Sequence, residues 1–332
     1  MKLTIGTFNT ENLFLRYYFN KKERGNMFAK PTKWKDLLAP VVEAKTEEAM
    51  QKKGAELALN INMLGWELEN TGPVSKSARV ATAKVILENL PDVLAVQEVE
   101  NLEALLQFNR HFLKNAYPYA MVIDGNDMRQ IDVGVLSKYD LVSIRSHRFE
   151  PKGAGPTGRT FSRDCLEVTI RPTKTKELTI LVNHFKSQIA KNEEERLKGV
   201  ARRKAQATRV VEILQERFGK KLVGNFVVAG DLNAGPETEE MQPLLEAGLV
   251  NVLDRLPEEE RWTHYYKKNK AAEQLDYLLL SPALAKANKG KPWIERRGLG
   301  TDINYYKGER FEQVEGKEGA SDHCAIFIEV TI

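Results

Sequence analysis

The stretch from Phe226 to Pro236, F-V-V-A-G-D-L-N-A-G-P, sets one carboxylate and one carboxamide two residues apart at the end of an apolar run. Side chains alternate along an extended strand, so Asp231 and Asn233 face the same way while Leu232 is directed into the protein. Such a pair can hold a water molecule and a phosphate oxygen. Gly, Asp and Asn are also ordinary turn formers, so the motif carries weight only with partners elsewhere.

Those partners recur along the chain. Asn9 and Glu11 close the first strand pattern, in F-N-T-E-N-L-F, and Glu98 ends the run Val93 to Val96. His184 follows Leu178 to Val182, Asp276 stands near the start of Q-L-D-Y-L-L-L-S, and Asp322 and His323 open a terminal strand. Each lies where an apolar strand enters or leaves a sheet, so one sheet edge is expected to gather them. A set rich in carboxylates and poor in Cys and His favours a hard, oxygen-liking cation, Mg²⁺ or Mn²⁺, over structural zinc. The two histidines beside carboxylates supply proton transfer and stabilisation of negative charge.

The elements that position these residues follow from periodicity. Apolar positions at helical spacing predict a helix over Ser77 to Leu90, stopped by Pro91, and a second begins after the cap Asn101. Three β-like segments, Tyr117 to Ile123, Ile131 to Ser137 and Leu141 to Phe149, read as antiparallel strands joined by turns. A Gly- and Pro-rich surface loop follows, in which Arg159 could reach a phosphate. A long helix is expected after N-H-F-K-S, with its apolar stripe at Leu197, Val200, Ala207, Val211, Leu214 and Phe218. A short helix is placed around Glu239 to Ala247. Residues 16 to 75 depart from this rhythm, with a helix expected from about Thr46 to Leu59, and read as an insertion in a single domain spanning 1–332.

The 332 residues, 42% of them apolar, suffice for a sizeable core. The net charge of +4 is too small by itself to name an anionic partner. Its distribution is uneven: Lys186 to Lys221 holds eleven Lys or Arg and five Glu, a net of +6, leaving −2 for the remainder. The two cysteines, Cys165 and Cys324, sit in apolar runs and indicate no disulfide framework. No apolar run approaches membrane-spanning length and no signal-peptide pattern follows Met1, so a cytoplasmic protein without membrane insertion is expected.

The stretches T-F-N-T-E-N-L-F, L-A-V-Q-E-V-E-N, I-D-V-G-V-L-S, V-N-H-F-K-S, V-A-G-D-L-N, Q-L-D-Y-L and S-D-H, in this order, span nearly the whole chain. Together they closely resemble the endonuclease/exonuclease/phosphatase superfamily, and the T-E-N-L-F and Q-E-V-E-N variants look most like its bacterial nuclease-type members. The resemblance implies a DNase I-like four-layer α/β sandwich, two packed and mostly antiparallel sheets with helices outside. It also implies roles. Glu98 is the main metal ligand, with Asn9 and Asp322 close to the metal and Glu11 a ligand for a second ion. Asp231 orients or deprotonates the attacking water, and Asn233 binds a phosphate oxygen. His323, held in one tautomer by Asp276, stabilises charge on the phosphoryl group, and His184 protonates the leaving oxygen or binds the phosphate.

A metal-dependent phosphodiesterase is therefore expected, with nucleic acid as its substrate. The basic run 186–221 and the aromatics Trp34, Tyr265, Tyr266, Tyr305 and Tyr306 suit phosphate contacts and base stacking. They would also suit a phosphoinositide, sphingomyelin or nucleotide. A silent binding module of the same fold is the alternative of a different class, but it would more naturally have lost some of these residues, and all are present.

Overall fold

Val93–Val96 and Phe226–Ala229 are apolar at every position, the pattern of a strand covered on both faces. The computed structural model describes residues 1–13, 17–19, 66–68, 76–127, 129–150, 158–314 and 316–332, and it places both runs at the centre of sheets. The strands are β1 (Lys2–Leu13), β2 (Tyr17–Phe19), β3 (Trp66–Leu68), β4 (Val93–Val99), β5 (Tyr119–Val122), β6 (Asp132–Ser137), β7 (Leu141–Ser146) and β8 (Leu166–Thr173). They continue with β9 (Lys176–His184), β10 (Phe226–Asp231), β11 (Val250–Asn251), β12 (His264–Tyr266), β13 (Ala271–Glu273), β14 (Asp276–Leu280), β15 (Trp293–Glu295) and β16 (Ala325–Thr331). The helices are α1 (Lys76–Asn89), α2 (Leu102–His111), α3 (Glu193–Phe218), α4 (Gln242–Glu246) and α5 (Pro282–Ala287).

Two six-stranded sheets form an α/β sandwich. The first runs β15-β16-β1-β4-β6-β5 and the second β11-β14-β10-β9-β8-β7. Each has one parallel pair at its centre, β1 with β4 and β9 with β10, flanked by antiparallel neighbours. A parallel pair requires a crossover, and α3 supplies the one between β9 and β10. Alternation then divides each central strand between two layers. Val227 and Ala229 of β10 face the inter-sheet core with Val93 and Ala95 of β4, whereas Phe226 and Val228 pack with Ala207, Val210 and Leu214 of α3. On the outside of the first sheet, α2 packs on β4 and β5, and Asn89 at the end of α1 hydrogen-bonds Glu295 and Trp293 of β15.

The three β-like segments after Tyr117 do not form one meander. β5 and β6 pair in the first sheet, but β7 pairs with β8 in the second, so the chain changes sheets between Ser137 and Leu141. The chain divides into two compact units, one of residues 1–14 and 74–332 and one of 15–73. Within the latter, β2 pairs antiparallel with β3, while the helix expected at Thr46 to Leu59 lies outside the described residues. Cys165 and Cys324 are buried free thiols. Among the described residues no helix is long and apolar enough to cross a membrane.

Candidate active site

A parallel pair ends both of its strands at the same side of the sheet, and the sandwich sets the two parallel pairs close together. Asn9, His184, Asp231 and Asp276 each continue the row that faces the other sheet: Ile5 precedes Asn9 in β1, Val182 precedes His184, Ala229 precedes Asp231, and Leu278 follows Asp276. The polar residues are therefore gathered not by one sheet edge but across the seam between two sheets.

Glu98 breaks the alternation. Gln97 takes the inward position, buried and bonded to Thr7 Oγ1, so a regular strand would turn Glu98 outward. The register of β4 shifts between Gln97 and Val99 against both β1 and β6, and Glu98 has φ +61°. This bulge re-aims the carboxylate into the cavity. β1 carries the matching irregularity between Asn9 and Leu13, with positive φ at Glu11 and Asn12. Gly230, at φ +133°, lets β10 approach β9 just before Asp231. A Cβ there would stand 1.9 Å from Asn183 O.

A cavity of about 570 Å³ opens over these strand ends, lined by Glu11, Glu98, His184, Asp231, Asn233, Asp322 and His323. Asn9 and Asp276 stand behind it and hold the lining in place. Asn9 Nδ2 donates to Asp231 Oδ2 at 3.1 Å, and Asp276 Oδ2 lies 2.8 Å from His323 Nδ1. Asp276 is itself fixed by Thr263 Oγ1 at 2.7 Å. Asp231 Oδ2 is 3.4 Å from His184 Nε2 and 3.8 Å from His323 Nε2. Asn233 donates its backbone N–H to Asp231 Oδ1, and its Nδ2 to both Asp231 Oδ2 and Phe185 O. Its amide hydrogens are thus committed within the protein, and Asn233 fixes the carboxylate instead of reaching for a phosphate as its sequence position suggests.

The electrostatics follow from an excess of buried acid. Burial pushes Glu11 and Asp231 up to about 7, helped by Asp322 for the first and Asp276 for the second, and raises Glu98 as well. His323 goes the other way: burial disfavours its charge, but Asp276 and Asp231 raise it well above its ordinary value. His184 is held well below its ordinary value by burial, with Arg163 and His323 adding to the effect. Glu98 Oε1 faces that neutral ring at 3.8 Å, and Glu11 Oε2 accepts the backbone N–H of Asp322 at 3.0 Å. Glu98, Glu11 and Asp322 line one cavity with surplus negative charge, and their oxygen donors are of the type a hard divalent cation takes.

Two lining residues stand outside the strand-end pattern. His264, in W-T-H-Y-Y, has Nε2 3.6 Å from Asp322 Oδ2, and its ring centroid lies 4.6 Å from that of His323 at a tilt of 42°. Arg163, in F-S-R-D-C, is buried in the wall, with Nη1 on Phe185 O at 3.0 Å and Nε 3.1 Å from Asp127 Oδ2. Neither follows an apolar strand run, so periodicity does not single them out.

Other expectations fail for identifiable reasons. Arg203 is buried, paired with Glu240 at 2.8 Å, and donates to the carbonyls of Lys186 and Ser187; Lys204 is paired with Glu239 at 2.9 Å. The basic side chains of α3 are for the most part paired with carboxylates of this chain. Arg159 stacks on Phe149 and bonds Asn126 Oδ1. Tyr266 lines the cavity, but Tyr265 and Tyr305 stack on each other, Tyr306 bonds Glu309 O, and Trp34 lies outside the described residues.

No curated protein matches the sequence. Among solved structures, an endonuclease/exonuclease/phosphatase from Beutenbergia cavernae superposes with a TM-score of 0.59 at 12% identity, covering 100% of this chain and 72% of its own. The endonuclease/exonuclease/phosphatase from Bacteroides vulgatus gives 0.57 at 12%, covering 100% and 99%. Beta toxin 275-280 from Staphylococcus aureus gives 0.57 at 14%, covering 99% of both chains. At these identities the likeness is one of fold. Residues 57–323 match the Endonuclease/Exonuclease/phosphatase family directly. The chain belongs to that family, a group of metal-dependent hydrolases of phosphate esters.

Proposed function

We propose that this protein hydrolyses phosphodiester bonds of nucleic acid, by in-line attack of water, with Mg²⁺ or Mn²⁺ as its cofactor. The observation that carries this reading is Asp231 Oδ2, set 3.4 Å from His184 Nε2 and 3.8 Å from His323 Nε2 in the cavity that Glu98, Glu11 and Asp322 also line. When bound at Glu98, Asn9, Glu11 and Asp322, the cation offsets the charge of the phosphodiester and activates water or the leaving oxygen.

The remaining work belongs to side chains. Asp231, held by Asn9 and Asn233, orients the attacking water and takes its proton. His323, kept charged by Asp276 and Asp231, donates from Nε2 to the phosphoryl oxygens as negative charge grows on them. His184, kept neutral by burial, binds the phosphate through a hydrogen bond and does not carry the leaving group's proton. Nucleic acid as substrate is supported by Arg129, Lys268 and Tyr266, which line the same cavity and offer phosphate contacts and a stacking face.

The test is a substrate panel of DNA, RNA, abasic DNA, inositol phosphates and sphingomyelin, with Mg²⁺, Mn²⁺ or EDTA. Cleavage of a nucleic acid with either ion and none in EDTA is expected. Full turnover in chelator would overturn the mechanism, and turnover of a lipid or inositol phosphate alone would overturn the substrate.

A further inference from the structure

The donors on the far side of the cavity differ from those around Glu98. Here two imidazoles and a carboxylate converge: His264 Nε2 is 3.6 Å from Asp322 Oδ2, His323 Nε2 is 4.0 Å from Asp322 Oδ1, and one donor atom from each of the three residues lies within 4.8 Å of the others. We propose that His264, Asp322 and His323 form a second metal site, selective for Zn²⁺, that shares Asp322 with the oxygen site at Glu98 but does not use Glu98 itself.

Distance is the first argument. A tetrahedral ion with bonds of about 2.0–2.2 Å keeps its donors roughly 3.3–3.6 Å apart; His264 Nε2 meets that spacing on Asp322 Oδ2 and His323 Nε2 stands 4.0 Å from the other oxygen, Oδ1, so with one donor from each residue within 4.8 Å the ion would draw the three in by side-chain rotation. Donor type is the second. Two imidazole nitrogens and one carboxylate make the borderline set that zinc takes, with a fourth position left open, whereas Mg²⁺ prefers an octahedron of oxygens.

Preorganisation is the third argument. His264 and His323 are joined by a backbone bridge, and Cys324 N donates to Thr263 O at 2.6 Å, so the two rings are positioned together. His323 Nδ1 is engaged by Asp276 at 2.8 Å, which turns Nε2 toward the cavity. A carboxylate on the remote nitrogen of an imidazole is the arrangement that orients histidine ligands and strengthens them as donors. Asp322 lies between the two sites, its backbone N–H on Glu11 and its side chain toward His264.

Zinc in this position takes His323 Nε2 in place of its proton, which is released to solvent, so that ring no longer donates to a phosphoryl oxygen. Zn²⁺ should then inhibit hydrolysis supported by Mg²⁺. The inhibition rests on the function proposed above; the binding does not.

Binding is therefore measured without substrate, by calorimetric titration of Zn²⁺ into the full chain, stripped of metal and held in a large excess of Mg²⁺. One Zn²⁺ per chain is expected, and Co²⁺ in its place should give the intense visible d–d band of a four-coordinate ion. His264→Ala and His323→Ala should each weaken Zn²⁺ at least about tenfold, and Asp276→Asn about 10- to 100-fold. Glu98→Gln should leave Zn²⁺ affinity unchanged. The proposal is overturned if the wild type binds no Zn²⁺ in excess Mg²⁺, if Co²⁺ gives only a weak six-coordinate spectrum, or if a folded His264→Ala binds as well as the wild type. Loss of Zn²⁺ in Glu98→Gln would overturn it too, by placing the ion in the oxygen site.

Discussion

At Glu98 a single side chain separates what alternation predicts from what the fold does. Strand periodicity turns Gln97 inward; Glu98 was marked by its place at the end of an apolar run and by the resemblance of Q-E-V-E-N to a known motif, but the bulge that aims it inward has no signature in composition. Asp231, His184 and Asp276 were legible from alternation alone, because each continues an apolar row. His264 and Arg163 were not, since neither adjoins such a row. The buried position of Glu98 has a measurable cost, because ionising an acid whose affinity for its proton is raised by burial opposes folding above its ordinary value of 4.5. In chelator at neutral pH, Glu98→Gln should therefore melt at the same temperature as wild type or higher. With Mg²⁺ at about a hundred times its Kd the wild type should gain about 2.7 kcal/mol and the variant almost nothing, while losing hydrolysis. Thermal unfolding with and without the ion checks both. Asp231→Asn and His323→Ala should each slow hydrolysis roughly 10²- to 10⁴-fold. Because the two residues contact one another, the double variant should lose far less than the product of the single losses.

At the scale of elements, α3 shows why a charge count misleads. The stripe and the helix were legible, but the sequence does not say that Arg203 points inward, onto Glu240, and that Arg209 and Arg217 reach Glu150 and Glu167. Arg203→Met leaves Glu240 buried without its partner and should cost about 3–5 kcal/mol in denaturant unfolding, whereas Lys204→Ala, at an exposed pair, should cost less than about 1 kcal/mol. Beneath the same helix His147 lies 3.2 Å from Glu150 and 3.1 Å from Glu167. Burial disfavours its charge, yet the two carboxylates raise it above its ordinary 6.5, so its contribution is full below 6.5 and is lost as pH climbs through the raised value. Glu150 and Glu167 are lowered despite burial, the first by Arg209 and His147, the second by His147 and Arg217. Their contribution is full above the ordinary 4.5 and is lost as pH falls through the lowered values. Stability from this cluster should peak between 4.5 and 6.5, and His147→Gln should abolish the alkaline decline in Tm. The change of sheet after β6 was equally hidden, because β6 and β7 are separated by a short turn that reads like a hairpin.

At the scale of the molecule, the charge that meets a polyanion is set by the cavity mouth and not by the net of +4. If Lys268 neutralises one phosphate of a bound strand, Lys268→Glu should weaken DNA binding across sequences and flatten the log–log salt dependence by roughly 0.7–0.9. Titrations at several salt concentrations measure this; an unchanged slope would remove Lys268 from the interface. The sandwich was legible through the resemblance, with which the wholly apolar runs of β4 and β10 agree, but the seam was not, since no local pattern says which ends of two sheets will meet. That seam makes the site a fastener. Glu98 belongs to the first sheet and His184 and Asp231 to the second, so a phosphate held at once by a cation at Glu98 and by His184 would tie the layers together at one end. Amide hydrogens of β4 and β10 far from the cavity, at Leu94 and Val228, should then exchange more slowly once ligand is bound, in step with one another, although nothing touches them.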